Sequence, residues 1–167
     1  MQLANALNWF EIPVTDFERG KKFYETIFDY QMPENMMGNI RMGFFLYDFQ
    51  NGKVGGAICK SEMHKPSQEG SLVYLNCQPD LQIVLDKVQN AGGNIVQQKT
   101  KISEEQALGF WALITDTEGN KVALHSMSYK IVNFRSEFYT TFHFTTTSFS
   151  FFIFFNACLL VCSKPAN

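Results

Sequence analysis

Apolar and polar residues alternate along 8–14, Asn-Trp-Phe-Glu-Ile-Pro-Val. A period of two predicts a strand with Phe10, Ile12 and Val14 on one face and Trp9 and Glu11 on the other. The period then changes. Thr15 and Glu18 have the spacing of a capping box, in which each side chain satisfies an orphan backbone N–H. The helix after them should bury Phe17, Gly20, Tyr24 and Ile27 or Phe28, with Glu18, Arg19, Lys21, Lys22 and Glu25 in water. A strand follows at about 40–49. Asn51-Gly52 predicts a hairpin, because both residues tolerate positive φ, and the return strand is 54–59. Residues 60–70 are polar and turn-rich and read as a linker, with His64 a solvated member.

The same order then returns. Residues 72–77 alternate as a strand. Pro79-Asp80 opens a helix with Leu81, Val84, Leu85, Val88 and Ala91 on one stripe. Gly92-Gly93 ends it, since glycine takes a left-handed cap cheaply. A short strand at 94–97 precedes a hairpin of 110–115 and 121–127. Val14-Thr-Asp-Phe17 and Cys77-Gln-Pro-Asp-Leu81 occupy matching places, about 64 residues apart. The pattern is an internal duplication of strand, helix and strands. It predicts an α+β fold in which each helix covers one sheet face and the other faces line something shared.

Alternation also sorts that second face. Val73, Leu75 and Cys77 pack under the second helix, and Val122 and Leu124 join them. The wall left over is Trp9, Glu11, Leu72, Tyr74, Asn76, Ala123 and His125. It is mostly apolar with a few placed polar groups, as small-molecule pockets are. Trp9 and Tyr74 offer stacking surfaces or plain packing. Trp111, with Phe110, is read as pocket rim or core. Glu11 and His125 are the ionisable members. A carboxylate beside an imidazole can satisfy two buried groups, contact a ligand or serve as acid and base. Gly55-Gly56 lacks the helix and lysine of a phosphate loop, so close backbone packing is its expected use.

Composition divides the chain. Hydrophobic residues are 46%, charged residues 18% and net charge −2, which excludes a disordered chain and argues against nucleic-acid binding. Of 17 phenylalanines, 9 fall in residues 128–167. Residues 1–127 carry net charge −4 and the last 40 carry +2. The expected domain is therefore 1–127, with an atypical Phe-rich tail. Residues 149–162 form an apolar run of 14 with two polar interruptions, short of a span. Three readings of the tail stand: read-through past an end near Met127, a weak membrane or partner anchor, or an extra element covering the domain. Cys59 and Cys77 lie in strand-like runs and are expected as buried free thiols. Cys158 and Cys162 match no zinc spacing. No basic, apolar leader opens the chain, so the expected compartment is cytoplasmic.

Asn8-Trp-Phe-Glu-Ile-Pro-Val-Thr-Asp-Phe-Glu-Arg-Gly-Lys-Lys-Phe-Tyr-Glu, Ala91-Gly-Gly-Asn and Asp116-Thr-Glu-Gly-Asn-Lys-Val-Ala-Leu-His-Ser resemble the vicinal oxygen chelate superfamily, the glyoxalase I, bleomycin-resistance and extradiol-dioxygenase group. The resemblance covers residues 5–127. It implies paired βαβββ modules (about 5–60 and 70–127) in a cupped mixed sheet, usually as a homodimer. Enzymes of the superfamily hold a divalent metal at four strand positions. Carried over, these fall at Trp9, within 55–59 where only Cys59 has a donor, at Leu72 and at Ala123. Trp, Leu and Ala offer no lone pair to a metal. The expectation is thus no metal cofactor, the alternative being one divalent ion at a non-motif site. Three functions remain open. One is a metal-independent binder of an apolar or aromatic small molecule. Another is a glyoxalase-like lyase or isomerase using Glu11 and His125. The third is a protein-interaction module whose cup is filled by side chains.

Overall fold

A computed structural model describes residues 6–127. The readings of the tail, its boundary and its cysteines lie outside the described residues.

The first module contains β1 (Trp9–Pro13), α1 (Phe17–Phe28), β2 (Glu34–Met37), β3 (Ile40–Phe44) and β4 (Gly55–Lys60). The second contains β5 (Tyr74–Asn76), α2 (Leu81–Val88), β6 (Asn94–Lys101), β7 (Phe110–Thr115) and β8 (Lys121–Ser126). Each module makes one four-stranded sheet, in the orders β1-β4-β3-β2 and β5-β8-β7-β6. The first and last strands of each module pair in parallel, and the other pairs are antiparallel. This is the duplicated βαβββ arrangement. It leaves β1 and β5 at sheet edges.

Both helices pack into one core. Ile12, Val14, Phe17, Tyr24 and Ile27 of the first module join Leu75, Leu81, Leu85, Val88, Ile114 and Leu124 of the second. The α2 stripe Leu81, Val84, Leu85 and Val88 is buried as its spacing predicts. On α1, Phe23 joins the buried stripe and Phe28 is only partly covered. The opposite face of the first sheet carries a smaller cluster of Met42, Ala57 and Cys59, with Trp9, Ile40 and Phe44 packed on it. Two-residue alternation in β1, β3 and β4 produces that separation.

Some boundaries differ from the pattern. The strand expected over 40–49 ends at Phe44, and a single 3-10 turn at Phe49–Asn51 widens the connection to β4. Asp48 holds that turn by accepting from the Asn51 backbone N–H (3.2 Å) and side-chain amide (2.6 Å). β2 has four exposed residues and so no apolar alternation to read. β6 is largely exposed and extends to Lys101, past the expected 97.

The capping box at Thr15 and Glu18 does not form. Asp16 is the N-cap of α1 and accepts from the Arg19 N–H at 3.1 Å. The earlier N–H groups are capped from the other module. One oxygen of Glu118 accepts from the backbone N–H of Thr15 (3.0 Å) and Asp16 (2.9 Å) and from the Thr15 hydroxyl (2.7 Å). The other accepts from Arg19 Nε at 2.6 Å. A negative charge belongs at a helix N-terminus, where the first N–H groups lack partners.

Neighbouring residues of the β7–β8 turn extend this clasp. The Tyr24 hydroxyl donates to Asp116 at 2.8 Å in the core. Asn120 donates to the Pro13 carbonyl (2.8 Å) and to Asp116 (2.9 Å), and its own carbonyl accepts from Ser67 N–H (3.0 Å). The Asp-x-x-Gly-Asn signature therefore fastens the second module to β1, α1 and the linker. Gly119 supplies the positive φ (91°) that the turn needs.

Candidate functional site

A cleft of about 830 Å³ is lined by residues of β1, of β5 and of the β3–β4 connection. Its walls are rings. Phe10 lies 5.6 Å from Phe45, and Phe28 stacks on Tyr30 at 5.8 Å, centroid to centroid. Tyr47 and the half-exposed Tyr74 complete the aromatic lining. Gly55 and Gly56 at the start of β4 make room for it. A Cβ on Gly55 would stand 2.5 Å from the Tyr47 ring, and one on Gly56 would strike the ring of Phe10. This is the close packing expected of the pair. Burial pushes the Tyr30 phenol up to about 12, outweighing the opposing hydrogen bond to the Leu46 backbone, so that wall stays neutral.

Of the sequence-predicted wall, Glu11, Leu72, Tyr74 and Asn76 line this cleft. The others sit elsewhere. Trp9 packs tilted against Phe44 and edge-on against Tyr47, both at 6.1 Å, outside the lining residues. Ala123 is fully buried in β8, between Tyr74 of β5 and Leu113 of β7. Trp111 lies half-buried on β7 opposite His125. His125 Nε2 donates to the Leu108 carbonyl at 3.0 Å, since a carbonyl can only accept. Glu11 and His125 thus have different partners.

The imidazole beside Glu11 is His64. The linker 60–70 folds back over the first sheet, bringing His64 Nε2 to 3.9 Å from Glu11. His64 Nδ1 meets the Ser61 hydroxyl at 2.7 Å, and that hydroxyl accepts the His64 N–H at 3.3 Å. His64 is therefore a fixed, half-buried residue, and the reading of it as solvated is corrected. Composition shows a polar linker but not where it returns. Cys59, on the neighbouring strand β4, completes a group of three. The ligand atoms of Glu11, Cys59 and His64 all lie within 4.8 Å of one another. Burial, then the charge of Glu11 and its hydrogen bond, push the Cys59 thiol up to about 12. Such a thiol is a poor nucleophile at neutral pH.

Residues 7–43 match the profile of the bleomycin resistance protein-like N-terminal family. No curated protein matches the sequence. Among solved structures, a hypothetical protein of S. aureus is 17% identical, with TM-score 0.53, over 75% of this chain and 95% of that one. A glyoxalase/bleomycin resistance protein from Albidiferax ferrireducens is 15% identical, with TM-score 0.53, over 73% and 98%. This chain has the fold of those glyoxalase/bleomycin resistance structures. A mutant glyoxalase I from Zea mays shows the same likeness, with 19% identity and TM-score 0.55 over 71% of this chain. The chain spans 44% of the length of that maize protein.

The vicinal oxygen chelate resemblance implies a metal, and three of its four positions here do not fit one. Trp9 packs among rings, Leu72 is an alkyl wall of the cleft, and Ala123 is buried without a donor. No step can be routed through an ion at those positions.

Proposed function

We propose that this chain is a protein of the vicinal oxygen chelate type that binds a flat, apolar or aromatic small molecule in the cleft between its modules, independently of any metal. The observation that carries the reading is the 830 Å³ space walled by phenyl and phenol rings. A volume of that size suits a drug-sized molecule. Ligand faces stack on Phe10, Tyr47 and Tyr74, while Glu11 accepts from an N–H or O–H of the ligand and Asn76 fixes its orientation. The open cleft weighs against a module whose cup is filled by side chains. The proposal includes a cytoplasmic site of action, supported by the free thiols Cys59 and Cys77, and a homodimer, which rests on the resemblance.

Nile red, a neutral planar dye that brightens in apolar surroundings, tests this by fluorescence titration of the full chain. Expected is saturable one-to-one binding that survives EDTA. Tyr74→Ala, which removes one exposed ring, should weaken it about fivefold. Absence of saturable binding, or loss of binding in EDTA, would overturn the reading.

A further inference from the structure

Glu11, Cys59 and His64 belong to three different segments, yet their donor atoms lie within 4.8 Å of one another. We infer that they form a site for a soft or borderline divalent cation of the zinc type, which shares only Cys59 with the positions carried over from the superfamily. The geometry is near what such an ion needs. Ligand bonds of about 2.0–2.3 Å at tetrahedral angles set donor atoms roughly 3.3–3.8 Å apart. Glu11 and His64 already stand at 3.9 Å. The remaining separations close by about 1 Å at most, within the reach of χ rotations of Glu11 and His64.

The surroundings support ligation. Ser61 engages His64 Nδ1 at 2.7 Å, which orients the ring and leaves Nε2 facing Glu11. Metal-bound histidines are commonly held through their second nitrogen in this way. Cys59 is fixed in β4 beneath Trp9 and Met42, so one ligand comes preset by the sheet. A thiolate, an imidazole and a carboxylate together favour zinc over magnesium or calcium, which prefer oxygen alone. The Cys59 thiol proton leaves to solvent as the Cys59 Sγ–metal bond forms. Three protein ligands leave a fourth position open. Glu11 also borders the aromatic cleft, so an ion here stands at its margin.

Cobalt(II) is the probe, added to the full chain and read by absorbance. Expected is one ion per chain, with visible bands of a tetrahedral ion and a thiolate-to-cobalt charge-transfer band in the near ultraviolet, displaced by zinc. His64→Ala changes a half-exposed linker residue and should weaken binding about 100-fold. Cys59→Ser should abolish the charge-transfer band. The double variant Cys158→Ser, Cys162→Ser should keep both stoichiometry and spectrum. No binding, unchanged binding in His64→Ala, or loss of the band in the Cys158→Ser, Cys162→Ser chain would overturn the inference. The Nile red titration in EDTA reads the cleft separately, so either result can fail alone.

Discussion

Replacing Glu118 tests how the two modules are joined. Its side chain is fully shielded from solvent. It accepts two backbone N–H groups and a hydroxyl at the start of α1, and it pairs with Arg19. Burial pushes this carboxyl up, but Arg19 and the N–H and hydroxyl donors of Thr15 and Asp16 outweigh it and hold it near 2, against an ordinary 4.5. At about 1.4 kcal/mol per pH unit that difference is worth roughly 3 kcal/mol, and screening of the half-exposed Arg19 reduces it to about 2. The sign follows from the depressed value. The contribution is complete above about pH 4.5 and disappears as pH falls through 2. Glu118→Gln keeps the shape and removes the charge, so it should cost about 2 kcal/mol at neutral pH. Glu118→Ala also uncaps α1 and should cost about 3 kcal/mol. Equilibrium urea unfolding of the full chain, with the slope unchanged, reads both. Between pH 4.5 and 2 the wild type should lose more stability than Glu118→Gln. A glutamine variant within about 0.5 kcal/mol of wild type, or with the same pH profile, would refute this reasoning.

Other consequences are nearer the site. Tyr24→Phe removes one of the buried donors to Asp116 and leaves those of Asn120, so it should cost about 1 kcal/mol in the same urea assay. Gly56→Ala puts a methyl into the Phe10 ring, so both stability and Nile red affinity should fall, whereas a tolerant cleft would leave the titration unchanged. Burial pushes Cys59 and Cys77 up to about 12. Peptide mapping after iodoacetamide at pH 8 should find both unmodified in the folded chain and alkylated in urea.

The duplicated fold was legible because each module states its periods locally. Phe10, Ile12 and Val14 against Trp9 and Glu11 already distinguish the two faces of β1, and the two apolar clusters follow that division, with Phe10, Ile12 and Val14 in one and Trp9 in the other. What escaped is non-local. Glu118 caps a helix 102 residues earlier, so the nearby Glu18 offered a false partner. His64 reaches Glu11 only through the path of a polar linker. The cleft draws on Phe10, Val73 and Leu75 as well as on Glu11 and Tyr74. Edge strands expose both faces where they meet a gap, and alternation assigns each residue to one face alone. Asn51-Gly52 predicts a tight turn, whereas the β3–β4 connection is wide and delivers Phe45 and Tyr47, two of the rings.

Native mass spectrometry of the full chain tests the aromatic cleft most directly. Sprayed with Nile red after EDTA treatment, the protein should retain one dye molecule per chain, and Gly56→Ala should retain much less. A spectrum of bare chains under the same conditions, or equal retention by both proteins, would contradict the account.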